Sequence, residues 1–271
     1  MSVLMDGPGV YRDMPGNEYY SFPFLSASSL KDCNWNTRKL HAKLTERQRP
    51  ATEAMVFGTA FHTVCLEPAE VAQEYHILPE GHKGTTKDGK ALVAEIKKQG
   101  KRPLKKAAYQ QIQAMRKSML THPWVKKHFD ITKGDIELSI FTDYEGVRVK
   151  SRLDTYRPEE GGYSIDLKTT IDASNEKWRK EVRNGYITQA AVYQKQLLSH
   201  GLPCKGFYFV AVEKEAPYNV GVHTVAQRDL DAAWERVRDL LARYNEDRKS
   251  GFPHYNTEPT IHTYMPQEIK I

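Results

Sequence analysis

At 271 residues, 39% hydrophobic and 10% aromatic, the chain can bury one sizeable mixed core, and it has no apolar run near the ~20 residues that cross a bilayer. Its net charge of +6 and pI near 9.0 permit nucleic acid or an anionic surface as partner without requiring either. Cys33, Cys65 and Cys204 lie far apart with no C-x-x-C pair, which argues against a disulfide framework or a four-cysteine metal or iron–sulfur centre and leaves reduced, partly buried thiols as the expectation. The start, MSVLMDGPGVYRDMPG, lacks the basic residues and apolar stretch of a signal peptide, so a cytoplasmic location is expected.

Residues 1–24 read as an irregular lead-in rich in Gly, Pro and Tyr, followed by LSASSLKDCNWNTRKLHAKL, where Ser26 or Ser28 can cap a helix. EAMVFGTAFHTVCLE, 53–67, is apolar on most sides and predicts a buried helix ending before Pro68. The stretch 82–106 carries nine Lys and Arg against Asp88 and Glu95, with glycines at 84, 89 and 100 and Gly81 just before it. It reads as a basic loop region with a short helix, and such a run is ordinarily a solvated face. Helical structure resumes over 107–120 and meets a THPW turn.

From 135 the period changes. Apolar and polar residues alternate through three strands of a meander, with turns at 144–146 and 158–162. A helix over about 175–200 follows, with Trp178, Val182, Tyr186, Gln189, Tyr193 and Leu197 at helical spacing. Strands are predicted at 205–215 and 220–226, an amphipathic helix at about 227–248 and an extended tail at 251–271. With no repeat and no linker, the expectation is one α/β domain over 1–271. It comprises a lead-in and helix over 1–50, the basic region 82–106 and a core over 135–226, built on a central mixed sheet flanked by helices.

The chemistry concentrates in KSRLDTYRPEEGGYSIDLKTT, 150–170. Asp166 and Lys168, two apart on a strand, share a face. If the hairpin brings Asp154 level with them, two carboxylates converge beside a lysine, a set suited to Mg²⁺ or Mn²⁺. A metal there would activate water and neutralise charge on a phosphoryl group, with the lysine assisting. An isolated D-x-K is more often an ion pair on an exposed strand; the preceding Asp154, the turn length and the apolar Ile165 and Leu167 favour a site.

Four pieces occur in order: GTAFH at 58–62, KSRLD at 150–154, IDLKTT at 165–170 and QAAVY at 189–193. The set resembles the PD-(D/E)XK nuclease superfamily, and more narrowly its RecE (exonuclease VIII) type of phage-derived exonuclease. Leu153 stands where the superfamily's name has proline. The resemblance implies metal-binding carboxylates at Asp154 and Asp166, a possible carbonyl ligand at Leu167 and a catalytic Lys168. It also implies a further ligand at His62, a residue that could equally be a core histidine. Glu137 faces either the same site or solvent. Gln189 and Tyr193, four apart on one helix face, match a motif that contacts DNA or braces the site. Lys97, Lys98, Lys101 and Arg102 would then contact the DNA backbone. Trp35 could stack on a base or simply pack. Further expectations are Mg²⁺ (or Mn²⁺) dependence and 5′→3′ digestion of linear duplex DNA to mononucleotides. A 3′ strand would be left for an annealing recombinase of the RecT kind, and the enzyme would be a homo-oligomeric ring, a tetramer favoured.

Overall fold

The computed structural model describes residues 7–32, 35–45 and 52–254. The expected thiol Cys33 and the extended tail beyond 254 lie outside the described residues. In chain order the elements are β1 (Gly9–Tyr11), α1 (Gly16–Ser21), β2 (Leu25–Ser26), α2 (Ala27–Asp32), α3 (Thr37–Thr45), α4 (Glu53–Leu66), α5 (Val71–Glu74) and β3 (Tyr75–Ile77). There follow α6 (Lys87–Lys98), β4 (Arg102–Leu104), α7 (Lys106–Thr121), α8 (Pro123–His128), β5 (Asp135–Tyr144), β6 (Val147–Arg157) and β7 (Tyr163–Thr170). The last are α9 (Asn175–Glu181), α10 (Ile187–Ser199), β8 (Gly206–Glu213), β9 (Val220–Thr224) and α11 (Gln227–Ser250). Among the described residues no helix is long and apolar enough to cross a membrane.

The sheet runs β1-β5-β6-β7-β8-β9, antiparallel except for the β7–β8 pair, with β2 parallel to β6. Alternation along the strands feeds two cores. Val149, Leu153, Phe207 and Phe209 pack under α10 and α11, while Ile165, Leu167, Val210 and Val212 pack under α4 and α7. The β5–β6 hairpin closes on Glu145 and Gly146, both at positive φ, the pairing that matches strand twist. Parallel β7 and β8 require a crossover, which α9 and α10 supply.

The sequence placed the three-strand meander correctly, but four expectations need correcting. The region 82–106 is more ordered than a loop: Thr86 caps the twelve-residue α6, and β4 pairs with β3. The lead-in supplies β1 and β2 to the main sheet, with Ser26 accepting from the Ser29 amide at the start of α2. The helix expected over 175–200 breaks into α9 and α10 around a wide π turn at Val182–Tyr186, where Gly185 takes φ 148°. A side chain at 185 would meet Lys31 Cγ at 2.1 Å. The first turns of α4 are also exposed, Met55 at 59%, so that helix is buried mainly from Ala60 onward.

One topological detail positions everything that follows. β6 and β7 pair only at Thr155↔Ile165, Tyr156↔Ser164 and Arg157↔Tyr163. Beyond that point β7 parts from β6, and β2 occupies the vacated edge at Leu25↔Val149 and Ser26↔Lys150. The fork between β6 and β7 opens at Asp154 and Asp166.

Candidate active site

The fork lies in a groove of about 1420 Å³, lined by residues 13–24, α2, α4 and the start of α10. Lys150, Arg152 and Asp154 line it, while Val149, Ser151 and Leu153 between them are buried. This is the period of two expected of a strand. Asp166 and Lys168 line it in the same way, between the buried Ile165 and Leu167.

Where the ladder stops, the Leu167 amide donates to Asp154 Oδ2 at 2.7 Å instead of to a strand carbonyl. The same oxygen lies 3.4 Å from His62 Nδ1, delivered by the C-terminal half of α4. Gly58 sits one turn earlier, where a Cβ would stand 3.8 Å from Thr169 Oγ1; helix and strand are therefore in ordinary contact. Burial pushes the Asp154 carboxyl up, but His62, Lys168 and the Leu167 amide outweigh it and hold it below its ordinary value. Burial alone would lower His62, yet Asp154 raises it to about 9.

Glu137 reaches the same point from β5. Ile136↔Thr155 and Leu138↔Leu153 flank it in the ladder, so it stands opposite Asp154 with φ 51°. Left-handed backbone at a non-glycine costs about 1–3 kcal/mol and persists where surrounding structure imposes it. Its carboxylate pairs with Arg152. Burial first, then Asp154, raises Glu137 to about 7 against the opposing pull of Arg152. Ligand atoms of His62, Glu137 and Asp154 all lie within 4.8 Å of one another.

Asp166 is the deeper carboxylate. Its side chain pairs with Lys168 and accepts from Gln189 Nε2 at 2.6 Å. Burial, aided by Asp154 and opposed by Lys168, raises it to about 6. Burial disfavours the Lys168 ammonium, but Asp166 and Asp154 more than compensate and raise it. Lys168 Nζ also lies 5.3 Å from the centroid of Tyr186, a ring stacked on Trp178 at 5.3 Å. The π turn delivers that ring. Sequence reasoning passed over Tyr186 as one more apolar helix position, and the only available signal was the Asn-Gly pair just before it.

The remaining expected residues divide. Tyr193 is buried, packed edge-to-face on Phe207 at 5.9 Å with one side to the groove, and burial pushes its phenol well above the ordinary value. Leu167 keeps its side chain in the core. Arg102 lines the groove near Glu74. Lys97 and Lys98 lie exposed on the last turn of α6, outside the lining, and Lys101 donates to the Ala72 carbonyl at 2.8 Å. Trp35 packs against the core under Arg236. Two residues of the KSRLD stretch had no assigned role: Lys150, buried beneath residues 19–22, and Arg152, which joins Glu137 to the Met14 carbonyl.

An imidazole and two carboxylates converging at the floor of an open groove, with Asp166 and a lysine beside them, suit a divalent cation with oxygen and nitrogen ligands. The mutual repulsion of Glu137 and Asp154 is relieved by positive charge placed between them. A family model described as a PDDEXK-like domain of unknown function, DUF3799, matches residues 26–258. The chain belongs to this family. Within that span Asp154 lies on β6, and Asp166, Leu167 and Lys168 lie on β7. Among solved structures, a candidate exonuclease from Eubacterium rectale aligns over 96% of this chain and 100% of its own at 16% identity and TM-score 0.62, a likeness of fold. SSO0001 aligns over 84% and 81% of the two chains at 10% identity and TM-score 0.36. LHK-Exo, solved in complex with dAMP, aligns over 86% and 96% at 14% identity and TM-score 0.34. The last two scores are too low to carry an argument. No curated protein matches the chain.

Proposed function

We propose that this PDDEXK-like chain is a divalent-metal-dependent exodeoxyribonuclease that digests linear duplex DNA from 5′ to 3′. The observation that carries the reading is the convergence of His62, Glu137 and Asp154 within 4.8 Å, beside the Asp166–Lys168 pair at the floor of the groove. A divalent cation held there would supply Lewis acidity toward the phosphoryl oxygen and a water of lowered pKa. The chain's own residues supply the rest. Lys168, held cationic by Asp166 and Asp154, places positive charge where the attacked phosphate gains negative charge. Gln189 fixes the Asp166 carboxylate from one side, and the Leu167 amide fixes Asp154. The exposed lysines of α6 supply sequence-independent attraction for a polyanion.

Polarity, release of mononucleotides, delivery of the 3′ strand to an annealing recombinase of the RecT kind and a homo-oligomeric ring are supported by the ordered motif set and its RecE-type resemblance. The test is to incubate the protein with 5′-labelled linear duplex, 3′-labelled linear duplex and a covalently closed circle, each with Mg²⁺, Mn²⁺ or EDTA. Early release of the 5′ label as mononucleotide is expected, with the circle intact and activity lost in EDTA. Asp154→Asn, Asp166→Asn and Lys168→Ala should each lower the rate by about 10²–10⁴. A cut circle would replace the exonuclease with an endonuclease, and an absence of metal-dependent cleavage would remove the hydrolase.

A further inference from the structure

Lys150 stands four residues before Asp154 on the groove-lining face of β6, and a lysine there would ordinarily be taken as a phosphate contact. Its surroundings say otherwise. The side chain is 7% exposed, and Nζ donates to the carbonyls of Tyr19 at 3.0 Å and Phe22 at 2.6 Å. It also lies over the Tyr19 ring at 4.8 Å. Burial pushes the ammonium down to about 8, with no carboxylate offsetting it. Burying an unpaired ammonium is costly, and an apolar residue would pack there more cheaply but remove the Lys150 donor from the Tyr19 carbonyl and leave the Phe22 carbonyl only the Phe24 amide at 2.9 Å.

Those carbonyls belong to a strap, residues 14–24, that forms one wall of the groove. Its inner side is aromatic: Tyr19, Phe22 and Phe24 pack on Phe141 with centroids 5.8, 5.3 and 5.9 Å away. Arg152 Nη1 grips its start through the Met14 carbonyl at 2.8 Å. The outer side presents Tyr20, which is 64% exposed, lines the groove and is propped edge-on by Tyr19 at 5.2 Å. The ring is therefore exposed on the lining of the groove that also holds Glu137 and Asp154. An exposed aromatic ring above a site for phosphodiester chemistry is a surface on which an unpaired base can stack.

We propose that Lys150 is a positioning residue for nucleic acid: by locking the strap through the Tyr19 and Phe22 carbonyls, it holds Tyr20 over the groove as a stacking platform for the terminal base of the strand being cut. The inference rests on the nuclease reading, and it adds a substrate contact and the residue that places it.

The test is a double-mutant cycle in the full chain with Tyr20→Ala, Lys150→Met and the pair, alongside Tyr20→Phe and Tyr20→Trp. Binding of a frayed-end duplex is measured by anisotropy in Ca²⁺, turnover in Mg²⁺, Mn²⁺ affinity by titration and strap exposure by chymotryptic cleavage within residues 19–24. Tyr20→Ala and Lys150→Met should each weaken binding and raise KM about tenfold, the loss falling on KM rather than kcat. The double variant should be no worse than either single one. Tyr20→Phe and Tyr20→Trp should keep wild-type KM. Only variants lacking Lys150 should be cleaved faster in the strap, and Mn²⁺ affinity should hold in all. Additive losses, or a salt slope lowered by about one in Lys150→Met with the strap still protected, would make Lys150 a direct phosphate contact and overturn the proposal. So would a Lys150→Met strap that opens without any change in KM. Wild-type protein that neither binds nor cuts DNA would instead overturn the nuclease reading on which the proposal stands.

Discussion

Raising the pH should tighten metal binding, and His62 sets how steeply. With its pKa raised to about 9, the imidazole is protonated at neutral pH in the metal-free protein and has no lone pair to offer a cation. At pH 7 the neutral form is about one part in a hundred, a handicap of about 2.7 kcal/mol on binding; at pH 8 it is about one in ten, or about 1.4 kcal/mol. Glu137, raised to about 7, contributes a further factor of about two at pH 7 and about ten at pH 6. Mn²⁺ affinity should therefore climb about tenfold per pH unit between 7 and 9, and more steeply below 7. Calorimetric titrations at several pH values, each in two buffers of different ionisation enthalpy, would read both the slope and about one proton released per ion near pH 7.5. His62→Gln should weaken the limiting affinity and flatten the profile above about pH 8. A wild-type affinity that is constant from pH 7 to 9, with no proton release, would refute the imidazole as a ligand.

The same raised pKa makes a stability prediction of opposite sense. A histidine raised on folding contributes stability that is fully present below its unfolded pKa near 6.5 and is lost as pH rises through about 9. The metal-free protein should thus lose up to about 3 kcal/mol over that window, several degrees in Tm, a loss absent in His62→Gln and reversed by Mn²⁺. Gln189→Leu removes the 2.6 Å donor to buried Asp166 and should lower cleavage about 10–100-fold while leaving secondary structure intact; unchanged turnover would show that Asp166 is held by Lys168 alone. Gly185→Ala, which drives a Cβ to 2.1 Å from Lys31 Cγ at φ 148°, should cost about 1–3 kcal/mol by thermal unfolding, and a neutral result would mean that the π turn relaxes freely. Arg152→Lys cannot reach both Glu137 and the Met14 carbonyl; Mn²⁺ affinity and strap protection should fall together, and a change in one alone would separate the two contacts.

The legible parts of the sequence were those written in local periodicity. The meander over 135–170 and the long terminal helix follow from alternation of two and 3.6, and the order of GTAFH, KSRLD, IDLKTT and QAAVY located the residues that converge. What escaped depends on contacts between distant segments. β1 and β2 are three and two residues long and exist only because β5 and β6 offer free edges. At the α9–α10 break Gly185 lies against Lys31, about 150 positions away in sequence, a contact that local periodicity does not carry. Glu137 was undecided because alternation alone cannot say which way a residue faces once its φ leaves the β region.

The KSRLD stretch shows how much a period of two can carry when each position is given a different partner. Lys150 takes the strap carbonyls, Arg152 takes one more together with Glu137, and Asp154 takes His62 and the Leu167 amide. From Val147 to Leu153 the strand is paired to β5 without interruption, so the spacing between strap and carboxylates is set by the rise of about 3.3 Å per residue. Strap and carboxylate are thereby fixed on one ruler, about 13 Å from Lys150 to Asp154. A base stacked on the strap, as proposed above, would meet the carboxylates at a fixed distance, with no loop left to absorb the difference. Such rigidity is what positioning catalysis requires, since a misplacement of about 1 Å at the reacting phosphate can cost about a hundredfold in rate.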